Sequence, residues 1–134
     1  EIDKQIVFKE SLETKENILN YLPAGRLIYV NGFKNDGEPI LLTEFGGIAY
    51  KKDASEGWGY TSVQSDEEFI NDFNRVMMAI KNSKVLLGYC YTQLCDVEQE
   101  INGLLTYDRV PKVDVKIIKK INDKLGNCML KNVK

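Results

Sequence analysis

Two short apolar runs, each followed by a long irregular stretch and then an amphipathic helix, constrain this chain most. Ile40-Leu41-Leu42-Thr43, introduced by Pro39, is the first; Val85-Leu86-Leu87-Gly88-Tyr89-Cys90-Tyr91 is the second. Apolar runs without alternation predict strands covered on both faces, as in parallel sheets. Between them, Ser65 and Glu68 form a capping box. Phe69, Ile70, Phe73, Val76, Met77 and Ile80 then recur at helical spacing through Asn82. Beyond the second run, Pro111 opens a last helix, with Val113, Ile117, Ile118, Ile121 and Leu125 inward and Gly126 as its C-terminal cap. Strand, loop and helix, twice over, predict an α/β fold with two parallel strands.

Less regular segments precede and separate these units. Gln5-Ile6-Val7-Phe8 is a short β-like patch, and Thr14–Leu22 is a helix with Ile18, Leu19 and Leu22 on one face, closed by Pro23. Arg26–Val30 is strand-like and ends at Asn31-Gly32, and Lys34-Asn35-Asp36-Gly37 is turn chemistry. Residues 48–64 read as an irregular loop around Gly57-Trp58-Gly59-Tyr60, and a second loop runs to Arg109. The organisation is a lead-in helix and loop (1–38), a strand with its helix (39–84), a second such unit (85–125) and a tail (126–134). Two or three parallel strands cannot cover both of their faces, so this is the organisation of part of a (β/α) barrel. Such a piece exposes apolar edges and is expected to self-associate.

Composition excludes several kinds of function. The 134 residues carry a net charge of −2 with no clustering of Lys and Arg, which argues against a nucleic-acid surface. No apolar stretch approaches the ~20 residues of a membrane span. Cys90, Cys95 and Cys128 are an odd number without CxxC spacing, and there is no histidine, so no metal site and no cofactor are expected. Reduced thiols fit a cytoplasmic protein. Without histidine there is no Ser-His-Asp or Cys-His chemistry, and carboxylates must do any acid–base work.

One carboxylate stands out. Glu44 closes the first apolar run, and Phe45-Gly46-Gly47 follows it. In parallel α/β sheets, chemistry collects at the carboxyl ends of strands. A solvated strand terminus or half of a buried ion pair would also place a glutamate there.

Thr43-Glu44-Phe45-Gly46-Gly47 together with Tyr91-Thr92-Gln93-Leu94-Cys95-Asp96-Val97-Glu98-Gln99-Glu100 resembles glycoside hydrolase family 2, which includes the β-galactosidases, β-glucuronidases and β-mannosidases. The similarity extends through Gly37–Leu42, the Gly57–Tyr60 loop and Asn102–Arg109, and covers roughly residues 27 to 124. It implies that the chain is the C-terminal part of a TIM (β/α)8 barrel, carrying strands seven and eight with their helices. Glu44 then matches the family's catalytic nucleophile of a retaining β-glycosidase. Where many members have a tryptophan near the end of strand eight, this chain has Thr92. An aromatic sugar platform would come from Tyr91 or Trp58 instead, each of which could equally serve packing. Gln93 and Asp96 are the nearest candidates for sugar-hydroxyl contacts, and structural salt bridges are the competing role for Asp96, Glu98 and Glu100. The acid/base glutamate, which follows an asparagine on strand four, has no counterpart in these 134 residues. The 134 residues alone are therefore expected to be inactive, with the rest of the barrel and upstream domains as partners and a β-glycoside as substrate. A non-catalytic carbohydrate-binding or interaction module on a barrel remnant is the alternative.

Overall fold

Ser65 turns an extended stretch into the helix on which the core is built. Its side chain accepts from the Glu68 N–H at 3.2 Å, as a capping box requires. The return bond lands one residue earlier, with Glu68 accepting from the Gln64 N–H at 2.7 Å. The computed structural model describes residues 10–22, 25–52 and 57–129. In chain order these form α1 (Lys15–Asn20), β1 (Ile40–Gly46), β2 (Ile48–Tyr50), β3 (Thr61–Val63), α2 (Asp66–Asn82), β4 (Leu86–Thr92) and α3 (Val115–Met129). The Gln5–Phe8 patch and Pro23 lie outside the described residues.

The parallel pairing expected from the two apolar runs is present: β1 pairs with β4, and α2 makes the crossover between them. Phe69, Phe73, Met77 and Ile80 line one face of α2 and are fully buried. Each contributes roughly 1.5–3 kcal/mol by leaving water. They pack with Leu86, Val113, Ile118, Ile121 and Leu125 in one cluster. Phe73 also meets Tyr91 edge to face, with centroids 5.1 Å apart. Asp66, in the first turn of α2, ties β2 to the helix by bonding Tyr50 Oη and Lys52 Nζ. Those bonds hold its carboxyl below the usual range, Lys52 being the larger cause.

Several expectations are corrected. β1 is covered on one face only: Ile40, Leu42 and Phe45 join the core, whereas Leu41 is 53% exposed and Thr43 and Glu44 are exposed. Arg26–Val30 forms no strand, and Leu27 and Val30 stand in solvent; β-propensity without a partner strand does not make a ladder. The supposed irregular loop of 48–64 contains a second two-stranded parallel sheet, β2 with β3. Strands of three residues carry too little periodicity to be read from sequence. α3 begins at Val115, not Pro111, because Asp114 Oδ1 accepts from the Lys116 N–H at 2.8 Å and acts as the cap. Ile117 lies at the helix margin, exposed, while the other inward residues are buried.

Gly126 is not a cap. It sits inside α3 without a positive φ, and a Cβ added there would meet nothing within 4 Å. Gly126→Ala is therefore expected to stabilise the protein by about 0.5–1 kcal/mol. Urea unfolding followed by circular dichroism checks this; a C-terminal cap would give the opposite sign.

Candidate functional site

Alternation along β1 would carry Glu44 onto the covered face with Ile40 and Leu42. It does not arrive there. Leu42 pairs with Tyr89 and Phe45 with Tyr91, so β1 advances three residues while β4 advances two. The extra residue is a bulge at Thr43–Glu44, which shifts the phase: Phe45 takes the core position and Glu44 faces solvent. The Glu44 carboxylate accepts no hydrogen bond from any described residue.

Gly46 and Gly47 follow at φ +99° and +74°, a region that β-carbons disfavour. A Cβ on Gly46 would lie 2.2 Å from the Tyr91 ring, and one on Gly47 would lie 2.0 Å from the Tyr60 ring. Both glycines are thus demanded twice, by conformation and by an aromatic ring pressed on the backbone. The Gly47 N–H donates to the Thr92 carbonyl at 2.9 Å, which locks the turn to the end of β4. The next peptide, Thr92–Gln93, is cis.

Tyr91 is a core residue here. Its ring sits edge-on to Phe45 and Phe73 and closes the space under Gly46. Burial pushes its hydroxyl up to about 12, against a smaller opposing pull from the Ile48 N–H. That N–H does not complete a hydrogen bond, and the hydroxyl is buried without a partner. Packing has prevailed over a sugar platform at this position.

Trp58 takes the other course. Trp58 is 52% exposed, and its ring meets that of Tyr60, a residue 65% exposed, at 89° with centroids 6.0 Å apart. Its backbone is fixed: the Trp58 N–H donates to the Gln99 carbonyl at 2.8 Å, and the Ile101 N–H donates to the Trp58 carbonyl at 3.1 Å.

The loop after β4 is held by polar groups. Asp96 and Lys112 form a buried ion pair at 2.8 Å, with the Lys112 side chain 1% exposed. Lys112 also donates to the Ile101 carbonyl at 2.9 Å, and Asp96 accepts from the Gly103 N–H at 2.7 Å. Asp96 is thereby committed to structure, the competing role its sequence position allowed. Gln93 is half-buried, and its Nε2 donates to the Glu100 carbonyl at 3.3 Å. Glu100 accepts from Asn102 Nδ2 at 3.0 Å. Asn102 is fully buried and was not legible as a structural residue; its only signal is the Asn-Gly pair it forms with Gly103.

The structure therefore gathers Gly46, Gly47, Tyr60, Trp58 and the Gln93–Glu100 loop at the carboxyl ends of β1 and β4, where Glu44 also lies. An open apolar hollow of about 280 Å³, lined by Ile18, Leu19, Ile28, Tyr29, Pro39, Ile40 and Leu41, lies at the opposite end of β1. None of the lining side chains is charged, and the Tyr29 hydroxyl accepts from Asn35 Nδ2 at 3.1 Å. No group of His, Cys, Asp and Glu among the described residues could hold a metal ion. No helix among them is long and apolar enough to cross a membrane.

No family model matches the chain, and no curated protein does either.

Two tests follow from this geometry. Lys112→Met leaves Asp96 buried without its counter-charge and is expected to cost about 3–5 kcal/mol in urea unfolding. The second concerns Tyr91, whose folded pKa lies above the ordinary value of 10. Its contribution to stability is complete below pH 10 and is lost as pH rises towards 12. Wild type should lose stability over that interval more steeply than Tyr91→Phe, measured by thermal unfolding of both at each pH.

Proposed function

We propose that this chain is the part of a retaining β-glycosidase that carries the catalytic nucleophile, Glu44, on a piece of a (β/α)8 barrel. The observation that carries the reading is the bulge at Thr43–Glu44. It lifts a carboxylate out of the core at the carboxyl end of a parallel strand, beside the strand bearing the second family-like motif. Phe45 with Tyr91, and Gly46 with Thr92, stand in register, so the two motifs that resemble glycoside hydrolase family 2 are neighbours in space.

A retaining glycosidase needs one ionised carboxylate to attack the anomeric carbon. It needs a second carboxyl group about 5–5.5 Å away to protonate the leaving oxygen and then activate water. Glu44 is exposed and suits the first role. Asp96 is engaged by Lys112 and Glu100 by Asn102, so neither suits the second. We assign the acid/base to a strand outside this sequence. Packing of that remainder against β1 would cover Leu41 and the exposed Leu27, Val30 and Phe33. β-Glycosides are the substrate class, and the non-catalytic carbohydrate-binding module is the competing reading.

The test uses the intact enzyme that carries this chain and a panel of 2-deoxy-2-fluoro glycosides. Covalent label on Glu44 from at least one sugar is expected, with turnover reduced more than about a thousand-fold in Glu44→Gln. The 134-residue chain alone should give no turnover. A folded enzyme that binds sugars yet takes no label from any of them would favour the binding module.

A further inference from the structure

Lys112 has no part in the scheme above, although a charged pair in a dry interior is kept only where its bonds are made. Those bonds lead to the turn that follows Glu44. The Lys112 ammonium donates to the Ile101 carbonyl at 2.9 Å, and the same carbonyl accepts from the Tyr50 N–H at 3.2 Å. Tyr50 closes β2, which begins one residue after Gly47. We infer that Lys112, buried with Asp96, is a positioning residue for Glu44: it fixes β2 behind the two glycines and so sets where the carboxylate stands. This rests on the glycosidase reading.

Glu44 has to be placed by its own backbone, because its carboxylate takes no bond from any described residue. Upstream, β4 holds that backbone. Gly46 pairs with Thr92, and the Gly47 N–H donates to the Thr92 carbonyl at 2.9 Å. Gly46 and Gly47 themselves lie at positive φ, and glycine is the residue that resists displacement least. A carboxylate so close to such a pair keeps its place only if the chain is held on the far side too. Among the described strands β2 pairs with β3 alone. Burial of Ile48 and Tyr50 decides which way β2 faces. Apolar contact has no direction, however, and does not fix how far β2 lies along its neighbours. The bond from Tyr50 to the Ile101 carbonyl does, and Lys112 holds that carbonyl.

The same pair stands behind the upstream hold. The Lys112 N–H donates to the Leu104 carbonyl at 3.1 Å, and Asp96 accepts from the Gly103 N–H at 2.7 Å. Residues 101–104 are thereby fixed at Ile101, Gly103 and Leu104, and they bracket Gln93. The Gln93 N–H donates to the Asn102 carbonyl at 3.4 Å, and the Leu104 N–H donates to the Gln93 carbonyl at 3.1 Å. Gln93 follows Thr92, the residue that holds Gly47. An apolar side chain at position 112 would fill the same space and donate nothing to Ile101. Nucleophilic attack is sensitive to such a loss, since a misplacement of about 1 Å can cost about a hundred-fold in rate. The other Lys–Asp pair on the last helix, Lys119 with Asp123, is exposed and bonds to no group of this turn.

The test uses the intact enzyme that carries this chain, with sites counted by the 2-deoxy-2-fluoro glycosyl label on Glu44. Wild type is compared with Lys112→Met, with Lys112→Met combined with Asp96→Asn, and with Lys119→Met as the control. The double variant leaves no charge buried alone, and its amide can still accept from the Gly103 N–H. Turnover is divided by the number of labelled sites, so an unfolded fraction does not count against a variant. In both Lys112 variants kcat per labelled site is expected to fall about ten-fold or more, with KM changed by less than about three-fold. Lys119→Met should match wild type. A variant folded by circular dichroism that takes no label is the limiting case of the same result. A pair that served the fold alone would lower the number of labelled sites and leave turnover per site unchanged. Wild-type turnover per site in the double variant, or a rise in KM at constant kcat, therefore overturns the inference and leaves the glycosidase. So does a double variant that cannot fold. Absence of label on Glu44 in wild type would remove the glycosidase reading and this inference with it.

Discussion

The buried pair of Asp96 and Lys112 is the interaction on which the site end of the molecule depends. Through Lys112 it fixes the Ile101 carbonyl, and through Asp96 the Gly103 N–H. Ile101 and Gln99 in turn clamp Trp58, and Asn102 fills the space beside Gly59. Tyr60, two residues on from Trp58, seals Gly47. Two charges in a dry interior are costly to desolvate, and the cost is offset only where geometry is good and the remaining bonds are made. Here those remaining bonds go to backbone groups, which converts one ion pair into a scaffold for a loop whose Leu94, Val97, Tyr107 and Val110 stand exposed.

At the other end the constraint is apolar. α2 presents Phe69, Phe73, Met77 and Ile80 to α3 and to the sheet, and that face fixes where β4 can lie. The two systems meet at Tyr91. Its ring belongs to the core of α2, and its edge occupies the room that Gly46 leaves. The turn after Glu44 is thus set from below by packing and from above by hydrogen bonding.

The regular elements were legible because their periods were. The capping box at Ser65 and the spacing from Phe69 to Ile80 place α2 within a residue, and the apolar runs give β1, β4 and their parallel order. What escaped were features that depend on partners distant in sequence. β2 and β3 exist because residues 48–50 meet residues 61–63, and Pro111 is held in a bridge with Leu105 instead of opening α3. At the site, Glu44 and the glycine pair could be singled out from sequence. The burial of Tyr91 and the exposure of Trp58 could not, since an aromatic reads the same whether it packs in a core or stands in solvent. Asp96 was open between two roles for the same reason: its partner lies 16 residues away.

The bulge in β1 also bears on how this segment can change over time. A strand tolerates substitution at most positions, but its phase is set by counting. Loss of Thr43 would restore plain alternation and leave Glu44 outward and Phe45 inward, as they now stand. Only at its present length does the strand need the bulge: paired without it, the carboxylate would turn into the apolar layer and Phe45 would be expelled from it. A single-residue loss is therefore tolerated at the bulge. The facing of Glu44 and Phe45, more than the count of residues before them, is what lineage variation in this stretch must preserve.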